Sequence, residues 1–367
     1  MIKRTLCLAY ICLLILTMAA CRSAPLGGIP DPNDEWDSLT SSEYGTVPVT
    51  SAKTAYNYLT GEMNMAQDRV GLRPYCVSVN NLEASWPQKG IEAADIILEM
   101  ETEGGITRMM CLYTDTREIS LIGSVRSLRD QFIEAIYPVD PIIVHIGTST
   151  YADKAISDHG LQTIDGNRFP SAIYIDPERQ NYHSEHTKFT SGLLIHNAID
   201  KLNINPESRM KHKSFFPFVP EGQSAVMTTT GLSRISFLFS NTGYDGDFRY
   251  DSDSDSWYKF QHNQPQIDSG LEAEGAQLHF TNVLILFADI RTIENTKGLV
   301  SVNYQTGGTG IYCTGDGLVE FTWSKGDYES LFQMVLTDGS DLMLNPGKTM
   351  MCIVRNTYQD SLELTYF

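Results

Sequence analysis

The alternation of apolar and polar positions changes character several times along this chain. Lys3 and Arg4 lead into an unbroken apolar run over 6–16, and Met18-Ala19-Ala20 then precede Cys21. Residues 22 to about 65 are rich in Ser, Thr, Pro, Gly and acids and have little apolar periodicity. Ordered patterns begin near Leu72. Residues 75–79 read as a strand, and 95–101 and 106–113 as two more, joined across Gly104-Gly105 in a hairpin. The period then lengthens. Leu128, Phe132, Ala135 and Ile136 form the apolar stripe of a helix that Ser127 can cap and Pro138 ends. Residues 142–146 make a buried-type strand, followed by Gly147-Thr148-Ser149 and a helix over 151–157; a third helix covers 191–202. This half is predicted to be α/β.

From about Pro217 the signals are almost all β. Residues 248–250 and 257–260 flank an acidic tip, Asp251 to Ser256, and further strands are predicted over 283–287, 310–313, 319–323 and 350–354. Gly315-Asp316-Gly317 and Asp338-Gly339-Ser340 mark turns. Short strands with frequent turns argue for a sandwich or barrel-like β domain. The fold class is therefore α+β overall: an N-terminal α/β domain with a mixed sheet, then a mostly β C-terminal domain.

A short basic segment, an apolar core and small residues before a cleavage point make a secretory signal, and 6–16 is short for a span of roughly 20 residues. Small residues ending on a Cys look like a bacterial lipobox, with Cys21 diacylated and first in the mature chain. The predicted parts are a signal peptide (1–20), a lipidated tether (21–65), an N-terminal domain (66–215) and a C-terminal domain (216–367). The expected location is the extracytoplasmic face of the cell membrane, attached through the lipid.

Charge narrows the partners. The chain of 367 residues carries a formal charge of −18, and losing Lys3 and Arg4 makes it more acidic. Nucleic acid is excluded as a partner, because that affinity comes from Lys and Arg neutralising phosphates. An anionic lipid surface repels such a chain, so attachment falls to the acyl chains, each worth about 0.8 kcal/mol per buried CH₂. After processing, Cys76, Cys111, Cys313 and Cys352 accompany Cys21, each in an apolar β-like run. Buried thiols and Cys76/Cys111 or Cys313/Cys352 bridges both fit the spacing.

The densest polar cluster lies between Asn80 and His145. Glu99, Glu101 and Glu103 alternate and so share a strand face. Arg108 follows the Gly-Gly turn and can reach back towards them. Gly123-Ser124-Val125-Arg126-Ser127 opens a helix, placing Arg126 beside free backbone N–H groups with Arg129 close by; His145 ends a strand. Helix starts and Arg side chains suit phosphate or carboxylate. One reading is an anion-binding cleft of Asn80, Arg108, Arg126, Ser127, Arg129 and His145, with Glu99, Glu103 and Asp95 as acid/base groups. The other is that these carboxylates and guanidiniums pair with one another and lock the hairpin to the helix. No cofactor is predicted. His183-Ser184-Glu185-His186 has the wrong spacing for a zinc helix and lacks a third ligand, so no metal is predicted either. Asp251 to Ser256 begins like a calcium loop, but Ser256 stands where Gly is required.

These residues carry a family resemblance. Arg73-Pro74, Asn80-Asn81, Gln88-Lys89-Gly90, Ala94-Asp95-Ile96, Glu103-Gly104-Gly105-Ile106-Thr107-Arg108, Gly123-Ser124-Val125-Arg126-Ser127-Leu128-Arg129 and His145-Ile146-Gly147 resemble the N-terminal signature of the YerB-like bacterial lipoproteins. Tyr244-Asp245, Asp268, Asn282-Val283, Gly310, Gly317, Trp323, Thr337-Asp338-Gly339 and Asn345-Pro346-Gly347-Lys348-Thr349 are similar to its second domain. The likeness spans roughly 70 to 360 and implies a membrane-anchored envelope lipoprotein with two domains of unknown function. It departs at Tyr182-His183-Ser184-Glu185-His186, where relatives read Pro-His-Asn.

Two functional expectations follow. The first is a binding protein that engages cell-wall glycan, an anionic wall precursor or a wall-synthesis partner through the Arg-lined cleft. The second is an enzyme on wall glycan or phosphate-linked wall precursors, using the Glu residues as acid and base.

Overall fold

The computed structural model describes residues 44–367 apart from 211–213, 271–274 and 295–296. The signal segment, Cys21 and the first part of the expected tether lie outside the described residues. In chain order the main strands are β1 (Tyr75–Asn80), β2 (Ile96–Glu101), β3 (Thr107–Tyr113), β4 (Ile142–His145) and β5 (Thr163–Asp165). The C-terminal half adds β6 (Leu232–Leu238), β7 (Asp245–Asp251), β8 (Ser256–Gln261), β9 (Asn282–Glu294), β10 (Leu299–Asn303), β11 (Gly308–Thr314), β12 (Gly317–Lys325), β13 (Phe332–Leu336), β14 (Thr349–Arg355) and β15 (Glu363–Tyr366). The helices are α1 (Asp130–Ile136), α2 (Thr150–Asp158) and α3 (Gly192–Leu202).

Eleven strands form one sheet in the order β13-β12-β11-β9-β14-β2-β3-β1-β4-β5, with β10 on the far part of β9. The β2–β3 hairpin pairs as expected, its turn passing through Gly104 and Gly105 at φ 75° and 72°. A Cβ on Gly105 would lie 2.7 Å from Thr242, so the turn needs glycine for space as well as for backbone. The N-terminal strands are mixed, with β1–β4 and β4–β5 parallel; the C-terminal part is mostly antiparallel. Among the described residues its strands do not close into a sandwich or barrel of their own. Parallel pairing of β14 with β2 on one side and β9 on the other carries the sheet across both halves. A second sheet, centred on β8-β7-β6-β15, covers one face of the first.

Alternation decides what each face does. Leu98 and Met100 of β2, Met110 and Leu112 of β3 and Met351 and Ile353 of β14 pack with Phe132, Ile133 and Ile136 of α1. Glu99, Met109 and Cys352 stand in register on the opposite face, towards the second sheet. The same alternation settles the thiols. Val77, not Cys76, is the partner of Cys111, which puts the two sulfurs on opposite faces, and β9 runs between Cys313 and Cys352. All four are free and buried.

Two further expectations are corrected. The folded body begins before residue 65: Ala55, Tyr58, Leu59 and Met65 are buried in the main core, although polar neighbours hide their pattern. Ser127 does not cap α1. The helix starts at Asp130, and the segment before it is extended, with Arg126 N–H donating to Ser78 O and Leu128 N–H to Gly147 O. Ser149 and Ser191 do cap α2 and α3, accepting from Ala152 N and Leu194 N. Ser191→Ala is expected to cost about 1 kcal/mol in chemical denaturation; no change would remove the cap's role.

Candidate functional site

Arg108, Arg126 and Arg129 converge at one end of the large sheet. Arg108 comes from β3, on the face of Met100, and the other two from the extended segment leading into α1. Arg108 is buried, donates to Ser127 O at 2.7 Å and lies 3.5 Å from Glu103. Arg129 grips both oxygens of Glu103, one through Nε at 2.9 Å and the other through Nη2. Arg126 pairs with Glu185, and its Nε is buried without an acceptor. Asn80 donates to Nδ1 of buried His186 at 2.9 Å, which ties β1 to the same loop. Ser127 contributes its carbonyl, already taken by Arg108.

The charges are out of balance. Two carboxylates, Glu103 and Glu185, pair with three guanidiniums, those of Arg108, Arg126 and Arg129. Burial pushes the Arg108 guanidinium down to about 9, the nearby Arg129 and Arg126 add to this, and Glu103 opposes it. Burial, followed by Arg126, pushes Lys188 below the usual lysine range. Glu103 would be raised by burial, but the Arg129 hydrogen bond and the charges of Arg108 and Arg129 overcome this and hold it at about 2. Glu185 is likewise held low by Arg126 against its burial, yet its side chain is 39% exposed. It is the member of the cluster that a ligand can most easily displace.

Several predicted members lie elsewhere. Glu99 is sealed between the sheets, where its carboxylate meets Lys259 at 3.2 Å; the large sheet itself separates it from Arg108. Glu103 lies past the end of β2, so only Glu99 and Glu101 share a face, and Glu101 is held by Arg355 through two 3.0 Å contacts. Asp95 accepts from Thr114 N at 2.6 Å and Asn57 Nδ2 at 2.9 Å, and burial raises its carboxyl against those bonds. It borders a separate polar cavity of 470 Å³ with Glu92, His279 and Lys348. Roughly 13 Å of strand separates Asp95 from Glu99, whereas glycosidase carboxyls stand about 5–9.5 Å apart. The acid/base trio is therefore not assembled.

His145 also leaves the cluster. It is buried, bonded to Gly147 O and Thr163 Oγ1 at 2.9 and 3.0 Å, and burial lowers its pKa. It lines a cavity of 680 Å³ beside Asp153, Asp165 and Arg168. The free backbone N–H groups expected beside Arg126 are already bonded, as the extended segment shows. Among the described residues no His, Cys, Asp and Glu group is arranged to hold a metal ion.

Glu185, His186 and Lys188 join the site from a segment that carries no local sign of it. Their signal was present but non-local. Phe189 pairs with Gly123 and Val125 N donates to Lys188 O, so a distant loop is laid against the arginine segment.

Two family models match the chain: the N-terminal domain of the protein of unknown function DUF3048 over 59–205, and the C-terminal domain of the same protein over 235–351. The Bacillus subtilis (strain 168) protein named Putative lipoprotein YerB is 24% identical over 317 residues, 86% of this chain and 91% of its own length. The crystal structure of YerB from Bacillus subtilis superposes with a TM-score of 0.70 at 23% identity, covering 84% of this chain and 99% of that one. Both halves therefore have counterparts in one relative, in the same order.

Proposed function

The chain belongs to the YerB-like DUF3048 family, whose likeness marks a lipoprotein of unknown function, and from that premise we propose that it binds an anionic component of the cell envelope at the Arg126 corner. The protein would be held at the extracytoplasmic face of the cell membrane by a lipid on Cys21. Its ligand is a phosphate- or carboxylate-bearing wall polymer, or a precursor of one, presented alone or by a wall-synthesis protein. The observation that carries this reading is three guanidiniums shared between two carboxylates, with Arg126 Nε left without an acceptor, on a chain whose overall charge is −18. Such a local field attracts an anion that the rest of the surface repels. The incoming group takes the place of Glu185 on Arg126 and supplies an acceptor for its Nε.

The expected results are opposite in sign for two substitutions. Arg126→Ala removes a charge-assisted contact worth about 1.5–3 kcal/mol and weakens retention of the full chain on purified wall material about tenfold or more. Glu185→Gln removes the internal competitor and tightens retention. Both effects shrink as salt rises, because a half-exposed site is screened. Cosedimentation with wall material, before and after its phosphate-bearing polymers are stripped, reads all three. Retention that ignores both substitutions would take the corner out of the function. The enzymatic alternative draws no support from Glu99, Glu103 or Asp95, each of which is engaged in a different place.

A further inference from the structure

A second polar cluster lies between the two sheets, sealed from solvent and unrelated to the arginine corner. Asn81, just past β1, Glu99 of β2 and Lys259 of β8 meet there, and all three are fully buried. Glu99 joins the other two. Its Oε1 accepts from Asn81 Nδ2 at 2.7 Å, and its Oε2 stands 3.2 Å from Lys259 Nζ. The nucleophile and the amide therefore sit on the two oxygens of one carboxylate. The Asn81 carbonyl oxygen accepts from Gln266 Nε2 at 2.8 Å and from Gln88 Nε2 at 3.3 Å. Thr107 Oγ1 donates to Glu99 Oε1 at 2.6 Å and fixes the carboxylate's orientation. Lys259 Nζ and Glu99 Oε2 have no hydrogen-bond partner within the described residues, so the contact between them is an ion pair and nothing else.

An amine, an activated amide and a shared carboxylate are the parts of an acyl transfer. We propose that the chain cross-links itself here, through an isopeptide bond between Lys259 and Asn81 formed with Glu99 as acid and base. Glu99 Oε2 takes a proton from the Lys259 ammonium. The free amine attacks Cγ of Asn81, as lysine does in other covalent catalysis. The developing oxyanion falls on Oδ1, where Gln266 and Gln88 already donate; preorganised donors of this kind stabilise such a charge strongly. Glu99 then gives its proton to Nδ2 and takes the second one from Nζ. The Nζ–Cγ bond has formed, the Cγ–Nδ2 bond breaks and ammonia leaves. That ammonia carries off the last proton as ammonium, and Glu99 is a carboxylate again. No oxidant, reductant or cofactor enters. Burial away from bulk solvent protects the product from hydrolysis.

The bond would tie the first family segment, just past β1, to a strand inside the second, and it does not depend on what the arginine corner binds. Peptide mapping by mass spectrometry of the denatured full chain tests it. The expected product is a branched peptide joining the segments of Asn81 and Lys259, lighter than the two linear peptides by one ammonia, with proteolysis at Lys259 lost. Glu99→Gln is expected to abolish the branch and restore cleavage at Lys259. Linear, unmodified peptides from the unsubstituted chain would overturn the proposal, as would a branch that survives Glu99→Gln or joins Lys259 to another amide. Because the first measurement uses the unsubstituted protein, a variant that misfolds cannot obscure the answer.

Discussion

Lys259→Met is expected to be about 3–5 kcal/mol less stable than the same chain carrying Glu99→Gln as well. Both side chains are fully buried and pair at 3.2 Å. Removing only the ammonium leaves a carboxylate in the interior with Asn81 and Thr107 as donors and no counter-charge. Breaking a buried pair from one side costs more than replacing both members, since the second change removes the stranded charge. Neither variant has Lys259, so the difference isolates the charge and leaves any cross-link out of the comparison. Urea unfolding at neutral pH gives the number. Equal midpoints for the two variants would mean that Glu99 finds compensation elsewhere.

The second large effect is on stability in acid. Glu103 is held at about 2, against its ordinary 4.5, by Arg129 and Arg108 working against its burial. Its folded pKa is the lower one, so between those values the unfolded chain binds more protons. Stability from this group is complete above about pH 4.5 and drains away as the pH falls towards 2. The shift corresponds to about 3 kcal/mol. Glu103→Gln is expected to lose that amount at pH 7 and to converge with the parent chain near pH 2. Unfolding free energies across this range check it, and parallel curves for the two proteins would show that the Arg129 pairing contributes nothing.

Both predictions concern carboxylates on neighbouring parts of one strand and turn, which the sequence presents as equivalent. Alternation makes Glu99 and Glu101 share a face, and that much was legible. It also puts Arg108 on the other face, but only pairing of Met100 with Arg108 across the hairpin makes this visible. Lys259 shows the same limit. Trp257 and Gln261 share its face by period two, and their burial says that a lysine points inward. Nothing within the strand says that a glutamate from another sheet awaits it.

The sequence by itself determined the local elements: the β2–β3 hairpin through two glycines, the helices that became α2 and α3, the aromatic hairpin with its acidic tip, and the balance of charge that sets partner chemistry. These depend on contacts within a few residues, where propensity and periodicity act directly. Tertiary structure alone decided which halves share a sheet, where Ser127 is used, which carboxylate each arginine takes and where Lys259 ends. Those outcomes turn on strand neighbours far apart in the chain, β14 beside β2 above all. A local pattern specifies the faces of a strand but not what lies across from them.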